Sequence, residues 1–304
     1  MIFPIPPQKG DTIGVIAPSS PVTTETAERV KHILHTMGFQ VKMGESLSRN
    51  TGGYLAGSPA LRARDVMEMF RDPMVSALWC IRGGWGGIGV LRHLDYEEIS
   101  RHPKPFIGFS DVTVCHAALS RCGFVTFYGP MLWRLGENKE NDRFHLHTLQ
   151  KVLEIKDPLP LPMPRGACPK ILFPGKCEGE IIGGTLSLLS LLSGTPYAPD
   201  YEGKILFLED VDEPVRRLEN YLWQLKHMGV FQKIRGLILG SFRDCENREQ
   251  PSYGVRELLF RFFSDFSKPC VYDFPVGHCE KACTLPIGGK ALLDADRRTL
   301  TLLP

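Results

Sequence analysis

Three residues among the 304 carry, in chain order, a hydroxyl, a carboxylate and an imidazole at points where an apolar run gives way to a polar one: Ser110, Glu209 and His278. A serine is a weak nucleophile until a base takes its proton, and an imidazole serves as that base best while an acid fixes its tautomer. Ser110 follows Phe106-Ile107-Gly108-Phe109, and Cys115, Ala118, Leu119 and Cys122 recur behind it at three-and-four spacing, which predicts a helix stopped by Gly123. A serine on so tight a strand-to-helix turn is presented outward, and the next amide, that of Asp111, points to where an oxyanion would form. The string Gly108-x-Ser110-x-Val112 lacks the second glycine of a hydrolase elbow. Taken alone, the stretch is accounted for by Ser110 or Asp111 capping the helix.

The other two candidates are sorted by what their neighbours need. Lys204 to Leu208 reads as a strand ending at Glu209-Asp210-Val211-Asp212-Glu213-Pro214, and Pro214 starts a helix with Leu218, Tyr221, Leu222 and Leu225 inward and Gly229 at its end. Asp212 and Glu213 lie where a helix N-terminus favours anions, whereas Glu209 is too far ahead of Pro214 for that use. His278 follows the strand Pro269 to Phe274 and then Gly277. A lone loop histidine is ordinarily a surface residue; its position relative to Ser110 and Glu209 changes that reading.

The segment Arg82-Gly83-Gly84-Trp85-Gly86-Gly87-Ile88-Gly89 follows a buried strand, Val75 to Ile81. Gly84, Gly86 and Gly89 fit G-x-G-x-x-G, with Asp111 about twenty residues on, where a ribose-binding acid is sought in dinucleotide folds. The string, however, follows the third predicted strand rather than the first, and its acid shares a strand end with Ser110. The same glycines let a backbone amide, Gly83 or Gly84, approach a ligand and form an oxyanion hole with Asp111. A tight turn is the third reading.

Elements that would position these residues alternate regularly. Asp11 to Pro18 is a strand leading into Ser19-Ser20-Pro21, Thr24 to Met37 a helix, Phe39 to Met43 a strand and Ala60 to Phe70 a helix, a βαβα rhythm that predicts a parallel sheet. Phe124 to Tyr128 is a further strand and Asn141 to Leu153 a polar helix. From Asp157 to Gly175 six prolines make a stiff extended connector. The organisation read from this is an N-terminal α/β domain over 1–157 carrying Ser110, a proline-rich linker over 158–176, and a C-terminal domain over 177–304 carrying Glu209 and His278. In that second half Leu186 to Leu192 is a buried helix, Arg235 to Gly240 a strand, Val255 to Phe263 a helix and Thr284 to Gly288 a strand.

Lys and Arg number 36 against 34 Asp and Glu, a net charge of +2, so nothing asks for nucleic acid or an anionic membrane as partner. The N-terminus carries neither a basic nor an apolar targeting region and no run is long enough to span a bilayer, so the expected location is cytoplasmic. Nine cysteines, an odd number with no C-x-x-C pair, read as reduced thiols. His278, Cys279 and Cys283 lack a second ligand pair at zinc-site spacing, and neither a metal nor another cofactor is expected.

These motifs, in order, resemble those of the L,D-carboxypeptidases, a serine peptidase family that includes the microcin C immunity peptidases. The resemblance runs through Gly10 to Ser19, Arg82-Gly83-Gly84-Trp85-Gly86, Ile107 to Asp111, Gly183-Gly184-Thr185-Leu186, Leu208-Glu209-Asp210 and Gly277-His278. It implies Ser110 as nucleophile, His278 as base and Glu209 as its orienting acid. It also implies a flavodoxin-like or glutamine-amidotransferase-like N-terminal domain, a smaller β-rich C-terminal domain, and a homodimer with the site between the domains. The substrate it implies is murein tetrapeptide, cut between the L-centre of diaminopimelate and the terminal D-alanine in peptidoglycan recycling. Thr185 stands where the family often has Asn and Trp85 where it often has Tyr; both are candidate pocket residues. Arg82 and Arg217 are candidates for the substrate carboxylate.

Overall fold

The computed structural model describes residues 1–304, which separate into two compact units, Met1–Glu154 and Ile155–Pro304. The first is a doubly wound sheet. Strands β1 (Thr12–Ile16), β2 (Gln40–Met43), β3 (Val75–Cys80), β4 (Phe106–Gly108) and β5 (Thr126–Tyr128) pair in parallel in the order β5-β4-β3-β1-β2. This is the flavodoxin-like order, whose direction reverses between β1 and β3, where such folds open a crevice at the carboxyl ends of the strands.

The helices begin where local chemistry starts them. Thr23 caps α1 (Thr24–Thr36), Ser58 caps α2 (Pro59–Arg71) ahead of a proline at its first turn, Asp95 caps α3 (Tyr96–Arg101) and Asn138 caps α5 (Lys139–Leu153). Helix α4 (Thr113–Leu119), behind Ser110, is buried on every side rather than along one apolar face. Its polar members explain how: His116 is satisfied inside the core, its Nδ1 2.8 Å from Thr126 Oγ1 and its Nε2 2.9 Å from the Gly108 carbonyl. Phe106 packs between the ring of Phe70, stacked at 6.5 Å, and the edge of His116 at 5.3 Å.

The second unit holds an eight-stranded mixed sheet in the order β6-β14-β13-β8-β9-β10-β11-β7. Its centre is parallel: β8 (Lys176–Thr185), β9 (Ile205–Val211), β10 (Gly236–Arg243) and β11 (Cys270–Tyr272). A hairpin, β13 (Lys290–Asp294) and β14 (Thr299–Leu303), joins β8 antiparallel, while β12 (Leu285–Ile287) precedes it in the chain. Helices α6 (Leu186–Leu191), α7 (Val215–His227), α8 (Val230–Lys233) and α9 (Val255–Phe262) complete the unit. The proline-rich stretch belongs to it and supplies both sheet edges, β6 (Leu159–Pro160) and β7 (Lys170–Phe173). Proline cannot donate to a ladder, so an edge is the place such a segment fits.

Candidate active site

In the first unit the sequence-predicted residues meet at the ends of adjacent strands. Ser110 opens a 3₁₀ turn, Ser110–Val112, directly after β4 and holds φ at 63°. That left-handed conformation costs a non-glycine residue on the order of 1–2 kcal/mol and persists where its surroundings over-determine it. Here its N–H donates to the Tyr128 hydroxyl at 3.3 Å. Gly83 lies so close that a Cβ on it would sit 3.0 Å from Ser110 Cβ, 3.1 Å from Ser110 Oγ and 3.4 Å from the Asp111 nitrogen. A side chain there would press directly on the nucleophile turn.

Asp111 does not cap α4. The cap position is Val112, without a side-chain bond, and the buried Asp111 carboxylate accepts instead from the Gly87 N–H at 2.6 Å. Burial raises its carboxyl above the usual range, opposed by the Ser19 hydroxyl, the Gly87 amide and the charge of Arg62. This arrangement also removes the footing of a dinucleotide reading. The acid is turned inward, and Gly87–His93 is a 3₁₀ segment rather than an α-helix whose N-terminus would take a pyrophosphate.

The loop after β1 closes the other side. Ser20 donates its N–H to the Gly83 carbonyl at 3.1 Å, and its Oγ accepts from Trp85 N–H at 3.0 Å while donating to the Tyr54 carbonyl at 2.7 Å. Trp85 is 68% exposed, large for an aromatic on this loop. Arg82 donates to the Pro21 carbonyl at 3.2 Å and lies over the Trp133 ring at 5.3 Å.

In the second unit Glu209, His278 and Thr185 come together. Thr185 and Glu209 are in-register neighbours on β8 and β9, and the threonine hydroxyl donates to Glu209 Oε1 at 2.8 Å. The loop after β11 returns His278 to the same carboxylate: its N–H lies 3.1 Å and its Nδ1 2.7 Å from Oε2. A fully buried carboxylate requires several donors to be tolerated, and these contacts supply them. With Nδ1 facing an acceptor, Nδ1 carries the proton and Nε2, on the far side of the ring, is the basic nitrogen. Gly277 allows the approach, since a Cβ there would lie 2.3 Å from Oε2. Ser241 Oγ holds the His278 carbonyl at 3.1 Å.

Successive side chains of a strand point to opposite faces, so Asp210 leaves this group. It accepts from Ser187 N–H at 2.8 Å and Ser187 Oγ at 3.2 Å at the start of α6. Burial, and then the charge of Glu209, push its carboxyl up to about 7. Arg217 is an exposed member of α7 that pairs with Glu213 at 3.7 Å.

Sequence reasoning missed Tyr128, His116 and Arg62, and placed the loop of Ser20 at the edge of the site without its bonds to Gly83, Trp85 and Tyr54. The end of β5 beside that of β4 was the available signal for Tyr128; the others are supporting groups whose roles appear only once the loops are folded together.

A flavodoxin-like unit with a strained serine at the end of its fourth strand, followed by a mixed-sheet unit holding an imidazole on a buried carboxylate, defines a class of two-unit α/β protein carrying the parts of a hydrolase. Residues 13–129 match the LD-carboxypeptidase N-terminal domain and residues 178–293 the LD-carboxypeptidase C-terminal domain, and the chain belongs to that family. It is 36% identical over 297 residues to the "Probable murein peptide carboxypeptidase" of Bacillus subtilis, covering 97% of this chain and 92% of that protein. With the "Murein tetrapeptide carboxypeptidase" of Pseudomonas aeruginosa it shares 31% identity over 297 residues, 94% of each chain. Among solved structures, MccF in complex with glutamyl sulfamoyl guanosine superposes with a TM-score of 0.92 at 25% identity, covering 99% of this chain and 98% of that one. No helix is long and apolar enough to cross a membrane.

Proposed function

We propose that the protein is a serine-type L,D-carboxypeptidase that releases the terminal D-alanine of murein tetrapeptide. The observation that carries this reading is the backbone of Ser110, a non-glycine residue held at φ 63° at a strand end in a chain of the LD-carboxypeptidase family. In this reading Ser110 Oγ attacks the carbonyl carbon of the scissile bond as His278 Nε2 takes its proton. The oxyanion is received by the amide of Asp111 with that of Gly83 or Gly84. The C–N bond then breaks, His278 returns the proton to the departing amine, and water, activated by the same imidazole, hydrolyses the acyl-enzyme. Glu209 keeps the imidazole in the tautomer that both halves of the cycle need.

The first unit then carries the nucleophile and the second its acid and base. Arg82, Trp85 and Thr185 are the chain's candidates for holding the substrate, and no metal or other cofactor enters a step. The reading places the enzyme in the cytoplasm, acting in peptidoglycan recycling as a homodimer. A second reading, cleavage of an aminoacyl-nucleotide conjugate, is favoured by the likeness to MccF bound to glutamyl sulfamoyl guanosine.

The test is incubation with L-Ala-γ-D-Glu-meso-diaminopimelate-D-Ala and, separately, with a glutamyl sulfamoyl nucleoside, followed by mass spectrometry. Released D-alanine that survives EDTA and vanishes in Ser110→Ala, Glu209→Ala and His278→Ala is expected. Release that persists in Ser110→Ala sinks the serine mechanism, and turnover of the nucleoside alone selects the second reading.

A further inference from the structure

Three loops meet around Ser110, and two buried charged side chains join them. Asp111 is 4% exposed and accepts the Gly87 N–H; Arg62, on α2, is 1% exposed and donates from Nη1 to the Gly86 carbonyl at 2.8 Å and also to the Pro18 carbonyl. The peptide between Gly86 and Gly87 is therefore gripped at both ends, its carbonyl by a cation and its N–H by an anion. Neither glycine takes a side chain freely. A Cβ on Gly87 would lie 2.8 Å from Asp111 Oδ2 and 2.9 Å from its carbonyl oxygen; Gly86 holds φ at 96°, and a Cβ on it would meet Leu55 Cδ2 at 2.4 Å.

We infer that Asp111 is a positioning residue: through Gly87, its side chain fixes the glycine loop against the nucleophile turn and so sets the amides of the oxyanion hole. The inference rests on the proposed role of Ser110. Its physical basis is the shared origin of the two contacts. The residue that offers its own amide beside Ser110 also anchors, by its carboxylate, the loop whose other end presses Gly83 to Ser110 Oγ. A shift at Gly87 is transmitted along the few residues back to Gly83, where a misplacement of about 1 Å is enough to cost a rate on the order of a hundredfold. Burying two charges is costly unless each is compensated, and here the carboxylate and the guanidinium lie on the two sides of one loop. Burial lowers the Arg62 guanidinium and the charge of Asp111 opposes that shift, so the two groups sense each other. A hydroxyl or a water would satisfy one N–H; a carboxylate held rigid by its own strand end also fixes the loop's position.

Oxyanion-hole loss appears in kcat and in reactions through a tetrahedral state, not in KM. The experiment therefore measures kcat, KM and the rate at which an alkyl fluorophosphonate labels Ser110 in the wild type, Asp111→Ala and Asp111→Asn, with Ser110→Ala as the unlabelled control. Asp111→Ala is expected to lose about 10²-fold in both kcat and labelling rate with KM within about threefold. Asp111→Asn, which keeps an acceptor oxygen for Gly87, is expected to stay within about tenfold of wild type. Wild-type rates in the alanine variant, equal losses in the two variants, or a loss confined to KM overturns the inference. If the alanine variant does not fold, the asparagine variant decides alone, a hundredfold loss counting against. Hydrolysis by Ser110→Ala, or a wild type that the fluorophosphonate does not label, is the separate failure of the Ser110 reading.

Discussion

The first unit holds its reactive group by backbone and the second by side chains. Around Ser110 the fixed points are a left-handed φ, a Tyr128 hydroxyl on the serine's own N–H, and a glycine packed against Oγ. Around His278 the fixed point is one buried carboxylate, reached by Thr185 Oγ1 and by two nitrogens of His278. A nucleophile only needs to be in one place, and a strained turn supplies that. A base must change protonation state during turnover, and a permanent neighbouring charge stabilises the imidazolium that forms.

This contrast can be broken most sharply at Glu209. Glu209→Gln keeps shape and hydrogen-bonding capacity but removes the charge and disturbs the tautomer; a loss of about 10⁴-fold in kcat is expected from steady-state kinetics on the tetrapeptide. A loss below tenfold would mean that the second unit, too, works by placement alone.

The matching test in the first unit adds a methyl group. Gly83 is not among the residues at positive φ, so alanine fits the backbone there and the cost falls on the contact with Ser110. Gly83→Ala should lose about 10²- to 10³-fold in kcat, the range for a displaced oxyanion donor, with a thermal midpoint near wild type. Unchanged kcat would show that the close approach is not used.

A smaller effect separates the units by pH. Burial pushes the His116 imidazole down to about 4, so between about 6.5 and 4 the unfolded chain binds a proton that the folded one does not. Stability from this group is present above pH 6.5 and is lost as pH falls to 4. Asp210 has the opposite sign: with its carboxyl raised to about 7, the folded chain keeps a proton that the unfolded one releases, and stability is lost as pH rises from about 4 to 7. Each slope is on the order of 1 kcal/mol per pH unit. The two slopes oppose each other over the same window, so denaturant melts across pH 4 to 7 should show stability falling with pH in His116→Phe and rising with pH in Asp210→Asn. If neither variant changes the profile, these groups do not titrate as their burial requires.

Much of this was legible beforehand where a pattern is local. Helix α1 begins at Thr24 and α2 lies within a residue of its apolar periodicity, because caps and spacing are written in neighbouring residues. Ser110, Glu209 and His278 stood out because each follows an apolar strand, and Glu209 lies too far ahead of Pro214 to serve the next helix. What escaped was set by distant partners. The hairpin of β13 and β14 gains its meaning from pairing with β8, and α3 is a single short turn with no periodicity to read. Capping by Asp111 was a sound local inference, and a glycine amide more than twenty residues earlier in the chain outcompeted the helix for its carboxylate.

One detail of β9 bears on how the chain finds its fold. From Ile205 to Asp210 the strand is buried on both faces, so a slip of one residue would still put apolar groups inside and hydrophobicity alone would hardly oppose it. The adjacent acids differ in length: the longer spans the gap to the imidazole and the shorter fits the amide of Ser187. Exchange their sides and the shorter acid faces the imidazole while the longer one faces Ser187. The pair thus acts as a registration mark, and the site helps to specify the strand alignment on which it stands.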